Sequence, residues 1–376
     1  MTEWAFHNPV QIQFGAGTRC KLADHTRNRS ILVVTTKRGR QQMEGDATLA
    51  EAIAASGSTH WADDVQPNPG LSETQTTIEA LGGTAIDLVV AFGGGSAMDA
   101  AKALAAALSS PTTNDLAELI SQPGVHLTQA ALPIVAMSTT SGTGAEVTPF
   151  ATIWDHENKK KLSLASQHLF PSAAIVDPEL TYSLPKDPTL STGLDALNQA
   201  FESLWNHNRT PITAAFAGRA ISLALPALNI LNQDLSNKTS RIRISEASLL
   251  AGLAISHTRT AICHSISYPL TAHYGLPHGW ACAATMQVAA ELGFAATPKV
   301  FSEIAKLSNF NSSDELLAAL KDTLSSLRTL DVVSSYVKAE DAHKVVSEMY
   351  TKGRSDNYIL PINDDLLSKI IEQSFQ

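Results

Sequence analysis

Cysteine is scarce in this chain of 376 residues: there are three, Cys20, Cys263 and Cys282, far apart and in no CxxC pair. That spacing excludes a disulfide framework and suits a reducing compartment. Basic charge is also short. Lys and Arg number 27 against 36 Asp and Glu, a formal net charge of -9, so nothing is available to neutralise phosphates along a duplex. The only basic clusters, Lys37-Arg38 and Lys159-Lys160-Lys161, are too small to be nucleic-acid patches. No apolar run reaches membrane-spanning length without charge or turn residues. The opening residues, MTEWAFHNPVQIQFG, lack a basic-then-apolar run, so no signal peptide is expected. Repeats and low-complexity segments are absent as well. A cytoplasmic chain with no nucleic-acid partner and no membrane is the expectation.

What is present suits a globular enzyme. Hydrophobic residues make up 44% of the chain, and its length exceeds what one core comfortably serves, so two domains are expected. In the first half, short apolar runs at 31–35, 87–92 and 131–137 read as buried strands. Between them, 47–56, 71–81 and 97–108 carry helical spacing. Continuous apolar strands separated by helices indicate a parallel sheet covered on both faces. After Pro185 and Pro188, strand-like runs almost vanish and helical spacing dominates, at 192–205, 211–231, 242–255 and 312–330. The reading is an α/β domain over 1–185 followed by an all-helical domain over 186–376.

Two turns carry the coenzyme reading. The apolar run ending at Phe92 leads into Gly93-Gly94-Gly95-Ser96 and then a helix containing Asp99 and Lys102. Glycines let backbone N–H groups approach a pyrophosphate, and a helix N-terminus favours its charge. A second polar turn, STTSGTGAEVT (138–148), offers Thr139, Thr140 and Ser141 to phosphate and ribose oxygens. Plain tight turns and N-caps are the competing reading, and two such turns after successive strands favour a dinucleotide.

The second half offers metal ligands. Asp195 and Gln199 lie four apart in a helical segment and share a face. Downstream, His264 closes the run Thr258-Arg-Thr-Ala-Ile-Cys-His264 and His278 lies in a Pro-His-Gly turn, while His257 and His273 read as ordinary core or surface groups. A carboxylate with two imidazoles suits a borderline divalent cation and leaves room for a substrate oxygen.

These residues resemble the iron-containing (group III) alcohol dehydrogenases, which have the dehydroquinate-synthase-like fold. The resemblance runs from Phe14-Gly15-Ala16-Gly17 through GGGSAMDAAK (93–102), TTSGTGAEVTP (139–149), Ile175-Val-Asp-Pro178 and TGLDALNQAFES (192–203) to His264 and Pro277-His278-Gly279. It implies an NAD(P)-binding α/β domain, a helical domain, a divalent metal (Fe2+ first, Zn2+ second) and a homodimer. It also assigns Gly94, Gly95, Ser96 and Asp99 to the pyrophosphate loop, Thr139 and Thr140 to the second coenzyme loop, and Lys161 to the nicotinamide ribose. Asp195, His264 and His278 match three of the family's four metal ligands.

The chain departs from the family pattern at three places. Gln199 stands where the fourth ligand is usually His, and its amide oxygen is a weaker donor. Tyr268 stands where a relay His is often found, with His273 as a substitute if it faces the site. Where NAD-selective members carry Asp after the first strand, this chain has Thr36, followed by Lys37 and Arg38. Loss of the carboxylate removes repulsion of a 2′-phosphate, so NADP(H) is expected over NAD(H).

Arg209 and Arg259 are candidate binders of an anionic substrate, against readings as a helix-end charge and a structural salt bridge. Residues 202–213 and 256–271 resemble the branch of the family associated with phosphonoacetaldehyde reduction. The expectation is therefore reduction of phosphonoacetaldehyde to 2-hydroxyethylphosphonate. The alternatives are sulfoacetaldehyde, lactaldehyde or simple alcohols as substrates, a lyase of the dehydroquinate-synthase type, and a non-catalytic relative.

Overall fold

The computed structural model describes residues 3–110, 112–158 and 160–375. They group into two compact units. One comprises Asn8–Thr140 with Ala145–Thr181; the other runs from Tyr182 onward and includes Ser141–Gly144 and the N-terminal segment through His7. The contacts thus divide the chain at Tyr182, where the sequence pointed to Pro185, and assign two short segments of the first half to the helical unit.

The α/β unit is built on a parallel sheet. Its strands are β1 (Gln11–Phe14), β2 (Ser30–Val34), β3 (Ser58–Ala62), β4 (Leu88–Gly93), β5 (Ile134–Ser138) and β8 (Ala173–Val176), in the spatial order β1-β8-β5-β4-β2-β3. The inner strands are buried on both faces, which is why they read as unbroken apolar runs. Side chains alternate between two cores: Leu32, Val34, Val89 and Ala91 enter one, while Ile31, Val33, Val90 and Phe92 enter the other. The edge strands β1 and β3 are largely exposed and carry polar residues, so no apolar run marks them. An antiparallel pair, β6 (Phe150–Asp155) with β7 (Lys160–Ala165), lies outside this sheet. Helix α1 (Lys37–Gly45) follows β2, and α2 (Gly95–Ser109) follows β4.

The helical unit contains α3 (Lys186–Leu204), α4 (Pro211–Gln233), α5 (Lys238–Thr258), α6 (Ile262–Tyr274) and α7 (His278–Ala296). Helix α3 begins earlier than its sequence periodicity suggests. Pro185 is its N-cap and Pro188 sits in the first turn, where a missing N–H breaks no intrahelical bond. The buried guanidinium of Arg241 on α5 fixes this start: it donates to Thr189 Oγ1 at 2.8 Å and to the Leu184 carbonyl at 3.0 Å. The pattern at 312–330 is one helix in the sequence and two in the structure, Ser313–Ser326 and Thr329–Tyr336, because Arg328 turns left-handed between them (φ 55°).

Among the described residues α4 alone is long and apolar enough to cross a membrane. Its Ala217, Ile221, Ala224 and Leu228 are fully buried in the core of the helical unit, which accounts for that character. The N-terminal segment belongs to the same unit: Phe6 stacks on His257 with ring centroids 4.2 Å apart, and the His7 N–H donates to His257 Nε2 at 3.0 Å.

Close packing explains one motif glycine. A Cβ on Gly279, in the first turn of α7, would fall 1.8 Å from the Ser191 carbonyl oxygen of α3. Gly279→Ala forces these two helices apart, and overpacking of this kind costs about 1–3 kcal/mol. The expected result is a lower urea midpoint with an unchanged slope; an unmoved midpoint would mean that α7 shifts away from Ser191 without cost.

Candidate functional site

In the helical unit, three helices bring four potential ligands together. Asp195 comes from α3, His264 from α6, and His278 and Cys282 from α7, one turn apart on one face. Their ligand atoms all lie within 4.8 Å of one another. His264 Nε2 is 3.2 Å and His278 Nε2 3.9 Å from Asp195 Oδ1, and Cys282 Sγ is 3.8 Å from His278 Nε2. Asp195, His264 and Cys282 are buried, whereas the His278 side chain is 35% exposed, so the cluster opens to solvent on its side.

The orientation of His264 is set from behind. Glu202, fully buried about two turns after Asp195 on α3, accepts a 2.7 Å bond from His264 Nδ1. It also accepts from the backbone N–H groups of Ala261 (2.7 Å) and His264 (3.1 Å). With Nδ1 protonated toward the carboxylate, Nε2 presents its lone pair to the cluster, as in carboxylate–histidine–metal arrangements. Asp195 Oδ1 is buried and has no hydrogen-bond partner of acceptable geometry. An orphaned carboxylate oxygen facing an imidazole lone pair, with a second imidazole and a thiol alongside, fits a divalent cation.

The electrostatics agree. Burial would raise the Asp195 carboxyl, but the two imidazoles beside it, His264 first and then His278, hold it below the usual carboxylate range. Burial disfavours the charged imidazoles, yet Cys282 and the neighbouring carboxylates pull both His264 and His278 above their ordinary values. The Cys282 thiol, which burial alone would raise, is brought down to about 7 by the two imidazoles.

Other expected residues fall in different places. Gln199 is buried on α3, one turn after Asp195, and its Oε1 has no hydrogen-bond partner among the described residues. Tyr268 lies one turn after His264, and its ring is nearly parallel to His278, with centroids 6.4 Å apart and planes at 12°. His273 is not with them. It is exposed and paired with Glu348 at 2.8 Å, so the proposed substitute relay does not face the cluster. Arg209 is held by Glu303 at 3.0 Å and by the Leu204 carbonyl, a structural pairing rather than a waiting cation. Arg259 is the reverse case. Among the described residues its guanidinium has no hydrogen bond or ion pair, and burial with the nearby charge of Arg354 lowers its pKa. Its backbone, at φ 60° and ψ 179°, lies in a region that is nearly glycine-only.

In the α/β unit the expected coenzyme residues lie at the carboxyl ends of the inner strands. The turns after β4 and β5 are joined by the Thr139 N–H to the Gly93 carbonyl at 3.0 Å. A Cβ on Gly94 would come within 3.1 Å of the Thr140 side chain, so the glycine permits this approach. Gly95 opens α2, whose first-turn N–H groups suit a pyrophosphate, and Ser96 Oγ accepts from the Asn68 N–H. Asp99 turns one oxygen to the Thr152 N–H at 3.0 Å, holding β6 to α2. Thr36 caps α1, its hydroxyl accepting from the Gly39 N–H, with Lys37 and Arg38 exposed in the first turn. Lys161 lies on β7 opposite Trp154.

Three working residues escaped the sequence reading. Glu202 follows Asp195 by seven residues and Cys282 follows His278 by four, so helical periodicity alone could have put each behind or beside a ligand. Lys102 lies in the glycine-turn motif, yet its ammonium donates to the Thr148 and Phe150 carbonyls at 2.8 and 2.9 Å, and burial brings it down to about 8. Nothing in the sequence marks it as an internal strut.

Glu202→Gln should weaken metal binding by roughly 10–100-fold, because the imidazole loses the partner that fixes its tautomer and orientation. Metal retained after dialysis against graded chelator measures this; undiminished affinity would remove Glu202 from the metal's support.

Comparison with known proteins supplies the remaining context. Residues 9–178 match the model for iron-containing alcohol dehydrogenase, and 189–375 match the C-terminal model of the Fe-containing alcohol dehydrogenase family. A phosphonoacetaldehyde reductase of Streptomyces viridochromogenes is 43% identical over 206 residues, a match that covers 53% of this chain and about half (51%) of that protein's length. A 1,3-propanediol dehydrogenase of Citrobacter freundii is 33% identical, covering 82% of this chain and 78% of its own. Among solved structures, a sulfoacetaldehyde reductase of Bifidobacterium kashiwanohense in complex with NAD+ aligns with a TM-score of 0.88 at 32% identity, covering 100% of this chain and 99% of that one. With both halves matched by the family's own models, the chain belongs to the iron-containing alcohol dehydrogenases, a family of oxidoreductases.

Proposed function

We propose that this chain reduces a small anionic aldehyde, phosphonoacetaldehyde, to 2-hydroxyethylphosphonate, with NADPH as hydride donor and a divalent cation as Lewis acid. The observation that carries the anionic substrate is Arg259. Its guanidinium, without a hydrogen bond or ion pair among the described residues, stands on a strained backbone in the loop that Glu202 anchors, through the Ala261 N–H, beside His264. Strain of about 1–3 kcal/mol is retained where it serves a purpose, and a planar fork suits the oxygens of a phosphonate.

A cation held by Asp195, His264 and His278 supplies polarisation of a carbonyl oxygen. The chain's own groups do the rest. Glu202 keeps the His264 lone pair aimed, the exposed flank of His278 admits the aldehyde, and the phenol of Tyr268 is placed beside His278 to give a proton to the product oxygen. In the α/β unit, Gly94, Gly95, Ser96, Thr139 and Thr140 would hold the pyrophosphate and ribose. Lys37 and Arg38 would pair with a 2′-phosphate, Thr36 offering no opposing charge.

The likeness to a sulfoacetaldehyde reductase along the whole chain favours a sulfonate as the second reading, since both anions would meet the same guanidinium. A panel of phosphonoacetaldehyde, sulfoacetaldehyde, lactaldehyde and propanal with NADPH separates them: equal turnover of the uncharged aldehydes would sink the anionic reading.

Arg259→Gly relieves the backbone and deletes the charge. The expected result is unimpaired thermal stability with KM for the anionic aldehyde raised roughly 10–100-fold, the worth of one charge-assisted contact, and kcat/KM for propanal unchanged. Equal losses on charged and uncharged aldehydes would make the arginine structural. Thr36→Asp retains an N-cap of equal quality and should move coenzyme preference at least about tenfold toward NADH, measured as the ratio of kcat/KM values for the two coenzymes.

A further inference from the structure

Where this family's pattern would put an imidazole, the chain has Gln199, yet four ligand atoms still converge because Cys282 joins the cluster. We propose that the Cys282 thiolate, and not Gln199, is the fourth protein ligand of the metal. This rests on the metal-assisted reading above.

Geometry is the first support. A tetrahedral site with metal–sulfur bonds near 2.3 Å and metal–nitrogen or metal–oxygen bonds near 2.0–2.1 Å places its ligand atoms roughly 3.3–3.6 Å apart. The separations here are 3.2 Å for His264 Nε2 to Asp195 Oδ1, 3.9 Å for His278 Nε2 to Asp195 Oδ1 and 3.8 Å for Cys282 Sγ to His278 Nε2. These leave room for a cation and need only small closure around it. Cys282 also lies one helical turn from His278 on rigid α7, buried among the ligands rather than at their rim.

Chemistry is the second support. The alternative ligand, the buried amide oxygen of Gln199, is a neutral, hard donor. A thiolate restores a charged, soft ligand at the place the missing imidazole leaves, and it turns the preference of the site toward Zn2+ or Co2+. A substrate oxygen would then make the metal five-coordinate.

The test uses full-length protein stripped of metal and titrated with Co2+ alone, followed by absorption. Tetrahedral Co2+ gives visible ligand-field bands, and a thiolate ligand adds a near-ultraviolet charge-transfer band. Wild type, Cys263→Ser and Gln199→Ala should show both. Cys282→Ser should retain the ligand-field bands at higher Co2+, with affinity at least tenfold lower, and lose the charge-transfer band. Visible bands without charge transfer in the wild type would overturn the thiolate and leave the metal site standing. The same holds if Cys282→Ser keeps the charge-transfer band, or if Gln199→Ala destroys the visible bands. Absence of any stoichiometric Co2+ signal in the wild type would instead remove the metal reading itself.

Discussion

The Glu202 carboxylate lies out of solvent and accepts three hydrogen bonds, two from the backbone N–H groups of Ala261 and His264 and one from the His264 imidazole. Hydrogen bonds to a charged group are worth about 1.5–3 kcal/mol each, and together they repay the burial of the charge. They also join two functions. The same oxygens seat the first turn of α6 on α3 and fix which nitrogen of His264 faces Asp195. Through Ala261 they anchor the segment that follows Arg259, whose backbone is held at a positive φ. The aim of His264 and the seating of this segment therefore share one support.

Much of this was legible in the sequence, and the exceptions have physical causes. The inner strands announce themselves because both faces are buried, so Ile31–Val34 and Leu88–Phe92 carry apolar side chains at every position. The edge strands at Gln11–Phe14 and Ser58–Ala62 do not, because solvent tolerates any side chain there. Asp195, His264 and His278 can be picked out as ligand types in motif surroundings. Cys282 is harder: its spacing from His278 puts it on the same helical face, but a lone cysteine on an apolar helix looks like core until a third helix is folded against it. The two arginines, equal candidates in the sequence, part company for a similar reason. Arg209 is paired by Glu303, far along the chain, whereas Arg259 has no ion pair among the described residues.

The motif letters also carry more than one duty. In Pro277-His278-Gly279 the histidine is chemical, whereas the glycine is steric, seated against the Ser191 carbonyl. In GGGSAMDAAK the glycines shape the turn, Asp99 and Lys102 bond to the segment that follows, and none of the three tasks can be read from another.

The connectivity of the helical unit has a consequence for its birth on the ribosome. Although most of the unit lies after Tyr182, it includes the segment through His7 and the four residues Ser141–Gly144. The first stacks Phe6 on His257. The second places the Ser141 hydroxyl 2.9 Å from that of Ser245 and brings Gly144 so close to Gly252 that a Cβ would fall 2.3 Å from its Cα. The chain passes from one unit to the other at 7/8, 140/141, 144/145 and 181/182. A single cut cannot free either half intact, and the helical half cannot finish its packing from its own contiguous stretch of chain. Synthesis therefore delivers the α/β half first, with two loose pieces of the other unit that must wait, unpartnered, for the helices still to come.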